Sequence, residues 1–446
     1  MSRRLAAAAM GCVVLSAAVA CSSGSSTSGS PSGTANASDI AAALQKQSSI
    51  TVWSWAPQMK DIVAAFQKQY PKITVDLVNA GTSNAQYTKL QNAIKAGSGA
   101  PDVAQIEYFA LPQFALSGAL ANLADYGLGS LKGDFSPAVW DSVFFSGALQ
   151  GLPQDTGPMA LFYNKAIFDK YQIAVPTTWD EYLAAAKQLH AADPKEYIAA
   201  DSGDAGFVTS MIWDAGGQPY KVSGTRNVTI NLQDAGAKKF TAAWNQLVQG
   251  GLVSPIVGWT DQWYQGLGNG TIASLVTGAW MPGNLESSVA AGSGNWRVAP
   301  MPTWEKGAPA ATSQNGGSSD TVLKQSRNPL VAAGFVQFMN DGPGATVFTN
   351  DGGFPAANSV LESAAFLDAA PAYFGGQKIN QVLSQAAKSV ITGWSYLPYQ
   401  VYANSVFADT VGHAYANRSD LNAGLQAWQS NCVQYGKQQG FTVTGG

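Results

Sequence analysis

Ser49-Ile50-Thr51-Val52-Trp53 alternates apolar and polar residues like a short strand. Met59 to Tyr70 follows, with Ile62, Val63 and Phe66 on one helical face and Pro71 as the stop. Ile73-Thr74-Val75-Asp76-Leu77 alternates again, and residues 83–96 place Tyr87, Leu90 and Ile94 on a second helical stripe. Asp102-Val103-Ala104-Gln105-Ile106 is a third strand, introduced by Gly99-Ala100-Pro101. Strand, helix, strand, helix, strand is a βαβ series, so the spacing predicts an α/β protein with a parallel sheet. Ligands of such sheets gather beyond the C-terminal strand ends. Here those ends are Trp53-Ser54-Trp55, Asn79-Ala80-Gly81-Thr82 and Glu107-Tyr108-Phe109.

A second block begins at Gly151-Leu152-Pro153. Leu161-Phe162-Tyr163 reads as a strand, and Thr178-Trp179-Asp180-Glu181 as a capping box opening a helix to about His190. Asp234 to Gln249 is a helix closed by Gly250-Gly251, Thr271 to Thr277 an apolar strand ending at Gly278-Ala279-Trp280, and Ser326 to Asn340 a further helix. From about residue 376 the pattern is mostly helical. At 446 residues the chain exceeds the size at which one core keeps growing. With 46% apolar and 12% charged residues it has material for a real core.

Residues 1–21 join a basic start (Arg3, Arg4) to an apolar run and then Cys21, the pattern of an export signal. Ala18-Val19-Ala20-Cys21 fits a lipobox, in which Cys21 carries the lipid, and also an ordinary A-x-A cleavage site. The Ser/Gly-rich residues 22–38 read as a flexible tether, which favours the lipobox. Cys432 is then the one unmodified cysteine. Its spacing from Leu425 and Trp428 makes it a small core residue rather than a redox group.

Net charge is -3 and, beyond the leader, Arg occurs only at 226, 297, 327 and 418, so no basic stripe for nucleic acid or clamp for strong anions is present. The two histidines, His190 and His413, lack partners at zinc-ligand spacing, and no nucleophile elbow, Walker loop or dinucleotide fingerprint occurs. No catalytic residue, metal or cofactor is therefore expected. Glu107 and Asp155 could form a glycosidase pair only at a separation that sequence does not supply.

Aromatic residues beside turns are the main functional signal. A sugar offers an apolar C–H face to flat rings and a rim of hydroxyls to amides and carboxylates. Trp53, Trp55, Tyr108, Phe109, Trp213, Trp280, Phe354 and Trp394 are candidates of this kind, each with core packing as the alternative. Trp179 is expected simply to pack within its helix.

Four segments resemble the bacterial extracellular solute-binding proteins of family 1, the carbohydrate-binding lipoproteins of ABC importers, related to maltose-binding protein. They are Ile50–Trp55 with Phe66–Val75, Gly99–Val103, Gly151–Lys165 followed by Pro176–Glu181, and Gly278-Ala279-Trp280. The resemblance implies two α/β lobes of the periplasmic-binding-protein kind, joined by hinge crossovers, with ligand in the cleft between them. Lobe one would be 39–154 plus 313–367, and lobe two 155–312 plus 368–446. It implies ligand contacts at Glu107 and Tyr108, at Asp155, Thr156 and Gly157 in the crossover, and at Trp280 as a stacking platform, with Trp394 near a further stacking position. It also implies a monomer on the extracellular face of the cell membrane, held by a lipid anchor only, that binds a neutral mono- or oligosaccharide and serves permease subunits. A secreted carbohydrate-active enzyme and a same-fold receptor for a non-sugar solute are the competing readings.

Overall fold

The computed structural model describes residues 35–445; the expected leader, Cys21 and most of the tether lie outside them. The tether ends earlier than expected. Asn36 caps a helix, Ala37–Leu44, in a reciprocal box with Asp39, and Ile40 and Leu44 bury against the first core. A short apolar stripe behind a good cap is enough to end a Ser/Gly run.

Two sheets carry the architecture. Their strands, in chain order, are β1 (Ser48–Trp53), β2 (Ile73–Val78), β3 (Val103–Glu107), β4 (Leu152–Pro153), β5 (Met159–Asn164), β6 (Ser274–Gly278), β7 (Trp296–Ala299) and β8 (Ser318–Val322). The first sheet has the order β2-β1-β3-β8-β4. Its β2, β1 and β3 are parallel, as the βαβ series requires, and β8 runs antiparallel to both β3 and β4. Helices Met59–Gln69, Asn84–Ala96 and Pro329–Asp341 supply apolar residues to its faces, among them Phe66, Leu90 and Phe335, all unexposed.

The second sheet, β6-β5-β7, is antiparallel throughout. Its central strand reads Met-Ala-Leu-Phe because both faces are covered. Met159 and Leu161 enter one core with Trp179, Trp244 and Trp428, while Ala160 and Phe162 enter another with Trp296, Phe354 and Phe366. Cys432 is fully buried in the first of these, and its apolar surroundings push the thiol up to about 12. Trp179 packs there too, with ring centroids 5.5 Å from Trp244 and 5.4 Å from Trp304.

Three segments run side by side between the sheets. Gln154 N–H donates to the Ser318 carbonyl at 2.9 Å, Asn315 N–H to the Gly157 carbonyl at 2.8 Å, and Ala356 N–H to the Gln154 carbonyl at 3.2 Å. Ala356 and Ala357 pack with the first sheet, whereas Leu361 and Phe366 pack with the second. The packing passes between the two cores within this stretch: Phe354 and Leu361 lie in the second core, and Ala356, Ala357 and Val360 lie on the first. The helical C-terminal region also ends in an unexpected strand, Thr442–Gly445, parallel to Asn227–Ile230.

Candidate functional site

The crossover segments set the geometry of the site. In the β3–β8 ladder Glu107 lies opposite Ser318, so the C-terminal edge of the parallel strands meets the start of a crossover. In the β6–β5 ladder Gly278 lies opposite Met159, which brings the end of β6 to the same place. Residues following β3 and β6 therefore face each other across the junction.

Trp280 is fixed at this junction. Its indole N–H donates to the Asn315 carbonyl at 2.7 Å, which ties a residue of the second sheet to the crossover. The ring needs glycine around it. A Cβ on Gly278 would lie 2.5 Å from the Asn315 carbonyl oxygen and against the indole nitrogen, and one on Gly316 would lie 3.0 Å from that nitrogen. The half-buried indole thus reaches the cleft only because these neighbours carry no side chain.

Two cavities meet at Trp280. The first, about 440 Å³, lies between the lobes. Ser83, Asn84, Glu107, Phe109 and Tyr396 line one side, and Asp204, Ala205, Gly206, Thr209, Ser210 and Trp280 the other. The second, about 290 Å³, runs into the second lobe behind Trp280, with Trp259, Trp263 and Trp244 in its wall. Gly203, Asp204, Trp280 and Asn315 line both, so the cavities adjoin. No Lys, Arg or His side chain lines either one. Their ionisable groups are carboxylates and phenols.

The polar groups here are positioned by local structure. Asp204 caps the helix Ala205–Asp214, accepting the Phe207 N–H at 2.8 Å, so that helix begins at the cavity wall. Asn315 donates from Nδ2 to the Ser210 hydroxyl at 3.3 Å. Thr209 Oγ1 is buried without a partner and lines the interlobe cavity, a group that a ligand hydroxyl would satisfy. Glu107 accepts the Tyr87 hydroxyl at 2.9 Å. Burial raises the Glu107 carboxyl above its usual range, with the hydrogen bonds from Ser83 and Tyr87 opposing.

The sequence-selected residues divide into groups. Glu107 and Trp280 line the interlobe cavity. Asp155, Thr156, Gly157 and Tyr108 build the crossover instead and line neither cavity. Asp155 accepts the Ser318 N–H at 2.6 Å, Thr156 Oγ1 donates to Gln314 Oε1 at 2.7 Å, and the Tyr108 hydroxyl donates to the Asp155 carbonyl at 2.7 Å. A Cβ on Gly157 would penetrate the Asn315 carbonyl oxygen. Burial pushes the Asp155 carboxyl up to about 7; the Ser318 N–H opposes this and the charge of Glu107 adds to it. These partners belong to a strand junction.

Trp213 and Trp394 stack on each other at 4.9 Å and 8°, and the Trp213 N–H donates to the Ile391 carbonyl, away from both cavities. Phe354 is core. Trp53 and Trp55 pack on the first core, Trp55 edge-on to Tyr87 at 6.2 Å. An aromatic ring beside a turn has the same sequence signature in all these roles, so only tertiary contacts separate them.

Sequence reasoning missed Trp259 and Trp263. Trp259 stands just before the Thr260 cap of helix Asp261–Asn269, and its backbone takes φ +67°. For a bulky residue this is a true outlier, costing roughly 1–3 kcal/mol. Its ring centroid lies 5.1 Å from Trp263 and 5.5 Å from Trp280. Gly258 before it and a helix start after it were the only available signals.

A two-lobed α/β molecule with an aromatic and acidic cleft at its crossover is a solute-binding protein in architecture. The chain belongs to the family of bacterial extracellular solute-binding proteins, whose pattern matches residues 53–346. It is similar to the ABC transporter associated binding protein from B. animalis subsp. lactis, solved in complex with β-1,6-galactobiose. That likeness has 46% identity and a TM-score of 0.80, and covers 89% of this chain and 99% of that one. It is also similar to the galacto-N-biose-/lacto-N-biose I-binding protein from Bifidobacterium longum in complex with lacto-N-biose, at 30% identity and TM-score 0.77, covering 89% and 98%. A lactose-binding protein of Rhizobium radiobacter is 26% identical over 308 residues, 66% of this chain and 69% of that protein. These relatives are binding proteins rather than enzymes. No described helix is long and apolar enough to cross a membrane.

Proposed function

We propose that this protein is the capture receptor of an ABC importer for a short, neutral, galactose-containing oligosaccharide. The observation that carries this reading is the pair of adjoining cavities: aromatic rings, hydroxyls, amides and carboxylates converge on them, with no cationic side chain. Rings cover the C–H face of a pyranose and polar groups take its hydroxyls. The galactose-containing sugars carried by the three relatives support the choice of sugar. Binding groups from both lobes would favour the closed arrangement when ligand is present, and a closed shape is what a permease would read. Cys21 would carry a lipid that holds the receptor at the outer face of the membrane, so Cys21→Ala should release it into the medium with sugar binding intact.

The test is calorimetry with β-1,6-galactobiose, lacto-N-biose and lactose, with maltose for contrast, and a melting curve for each. A cognate sugar at 100 times its Kd should add about 2.7 kcal/mol of stability. A protein that binds none of the galactosides, or binds maltose more tightly, would refute the reading.

A further inference from the structure

We propose that the chamber behind Trp280 is a second saccharide subsite and that Trp259 is its specificity-determining lid, stacking on the ring next to the one held between the lobes. This rests on the sugar reading above and adds to it where the second ring goes and which residue rewards its presence.

Four observations converge on the chamber. It shares Trp280, Asn315, Gly203 and Asp204 with the interlobe cavity, so rings held in the two would be neighbours. Its wall is aromatic, and Trp259, Trp263 and Trp280 lie within 5.5 Å of one another through Trp259, at tilts of 42° and 33°. Of the three, Trp263 is buried and anchors the group, while Trp259 is exposed. Third, the lip is apolar and open. Val257 is 58% and Trp259 56% exposed, and both line the chamber. Phe144 is the one other large apolar side chain so exposed among the described residues. Exposed apolar area gathered at the mouth of a cavity marks a surface that something covers.

Fourth, the backbone of Trp259 holds φ +67°, a conformation that a residue chosen only for packing would avoid. Gly258 precedes it, and Thr260 closes the turn with a hydroxyl to the Val257 carbonyl at 2.8 Å. The turn thus presents the indole at the lip while the following helix anchors it. The occupant needs an apolar face for the indoles and neutral polar groups for Thr277, Asn315 and Asp204, which also line the chamber. A second pyranose meets both demands.

The test compares the affinity gained on going from galactose to β-1,6-galactobiose. Three forms of the full protein are titrated by calorimetry: wild type, Trp259→Gly and Trp259→Phe. Glycine suits a positive φ, so Trp259→Gly removes the ring without straining the turn and should melt no lower than wild type. In wild type the disaccharide should bind at least tenfold more tightly than galactose. Trp259→Gly should cut that ratio below threefold, and Trp259→Phe should restore part of it. A ratio unchanged in Trp259→Gly, whether both affinities stay or both fall together, overturns the assignment while leaving the sugar reading intact. Wild type that binds neither sugar overturns the sugar reading for galactosides and the subsite with it.

Discussion

The two walls of the cleft use different chemistry. On the first lobe, Ser83, Asn84 and Glu107 offer hydroxyl, amide and carboxylate beside the rings of Phe109 and Tyr396. On the second, Trp280, Trp259 and Trp263 form an aromatic surface, with Asp204, Thr277 and Asn315 beside it. The difference follows from the strands behind them. The edge of a parallel sheet ends in loops whose backbone must be satisfied, so short polar side chains collect there. The second lobe's wall grows from a strand end rich in small residues and from a helix start, where bulky rings can project. One wall can thus read hydroxyl positions while the other supplies the flat area that retains a pyranose.

Breaking the frame that holds the walls opposite each other should have the largest effect. Gly157→Ala would force a Cβ into the Asn315 carbonyl, a backbone atom that cannot swing aside. Loss of about 3 kcal/mol of stability, the upper end for overpacking, is expected in denaturant titration. A variant as stable as wild type would mean that the crossover yields easily, and that the walls are not held in register by it.

Trp280→Ala tests the aromatic wall. A stacking indole should take roughly 1–3 kcal/mol of binding with it, on the scale of base–aromatic stacking, with a small change in melting. Unchanged affinity with a loss of about 3–5 kcal/mol in folding would make Trp280 a core residue instead. Glu107→Gln probes the polar wall and should be milder, about 1 kcal/mol of binding, since the amide oxygen can still accept from Tyr87. If it weakens binding more than Trp280→Ala, the division between the walls is reversed.

The smallest effect is on pH. Asp155, beside Ser318, Tyr108 and Glu107, keeps its proton in the folded protein up to about pH 7, whereas an unfolded aspartate releases it near 4. The folded state therefore binds more protons between these values, and the stability contributed by this group is lost as pH rises through that window. Asp155→Asn should flatten that part of the melting-temperature profile and still accept the Ser318 N–H. Parallel profiles for the two proteins would show that the carboxyl is solvated and exerts no control.

Local and short-range features were legible in the sequence because their causes lie within a few residues. The βαβ series, the capped helix after Thr178, the burial of Cys432 and the small residues before Trp280 each follow from periodicity or backbone chemistry. The end of the tether was misjudged because one Asn36–Asp39 box outweighs composition.

What the sequence determined by itself is an α/β chain of two lobes with aromatic residues available for a ligand. Only the tertiary structure decided which aromatics face the cleft. Trp213 and Trp394 stack on each other, Trp55 turns its edge to Tyr87, and Trp259, marked in the sequence only by Gly258 and a helix start, stands at the lip. Asp155, Thr156 and Gly157 sit in a stretch that resembles a ligand loop, yet their side chains and backbone are consumed by hydrogen bonds to residues more than 150 positions away. Stacking and crossover contacts depend on where distant segments meet. A single residue and its neighbours along the chain carry no record of that meeting.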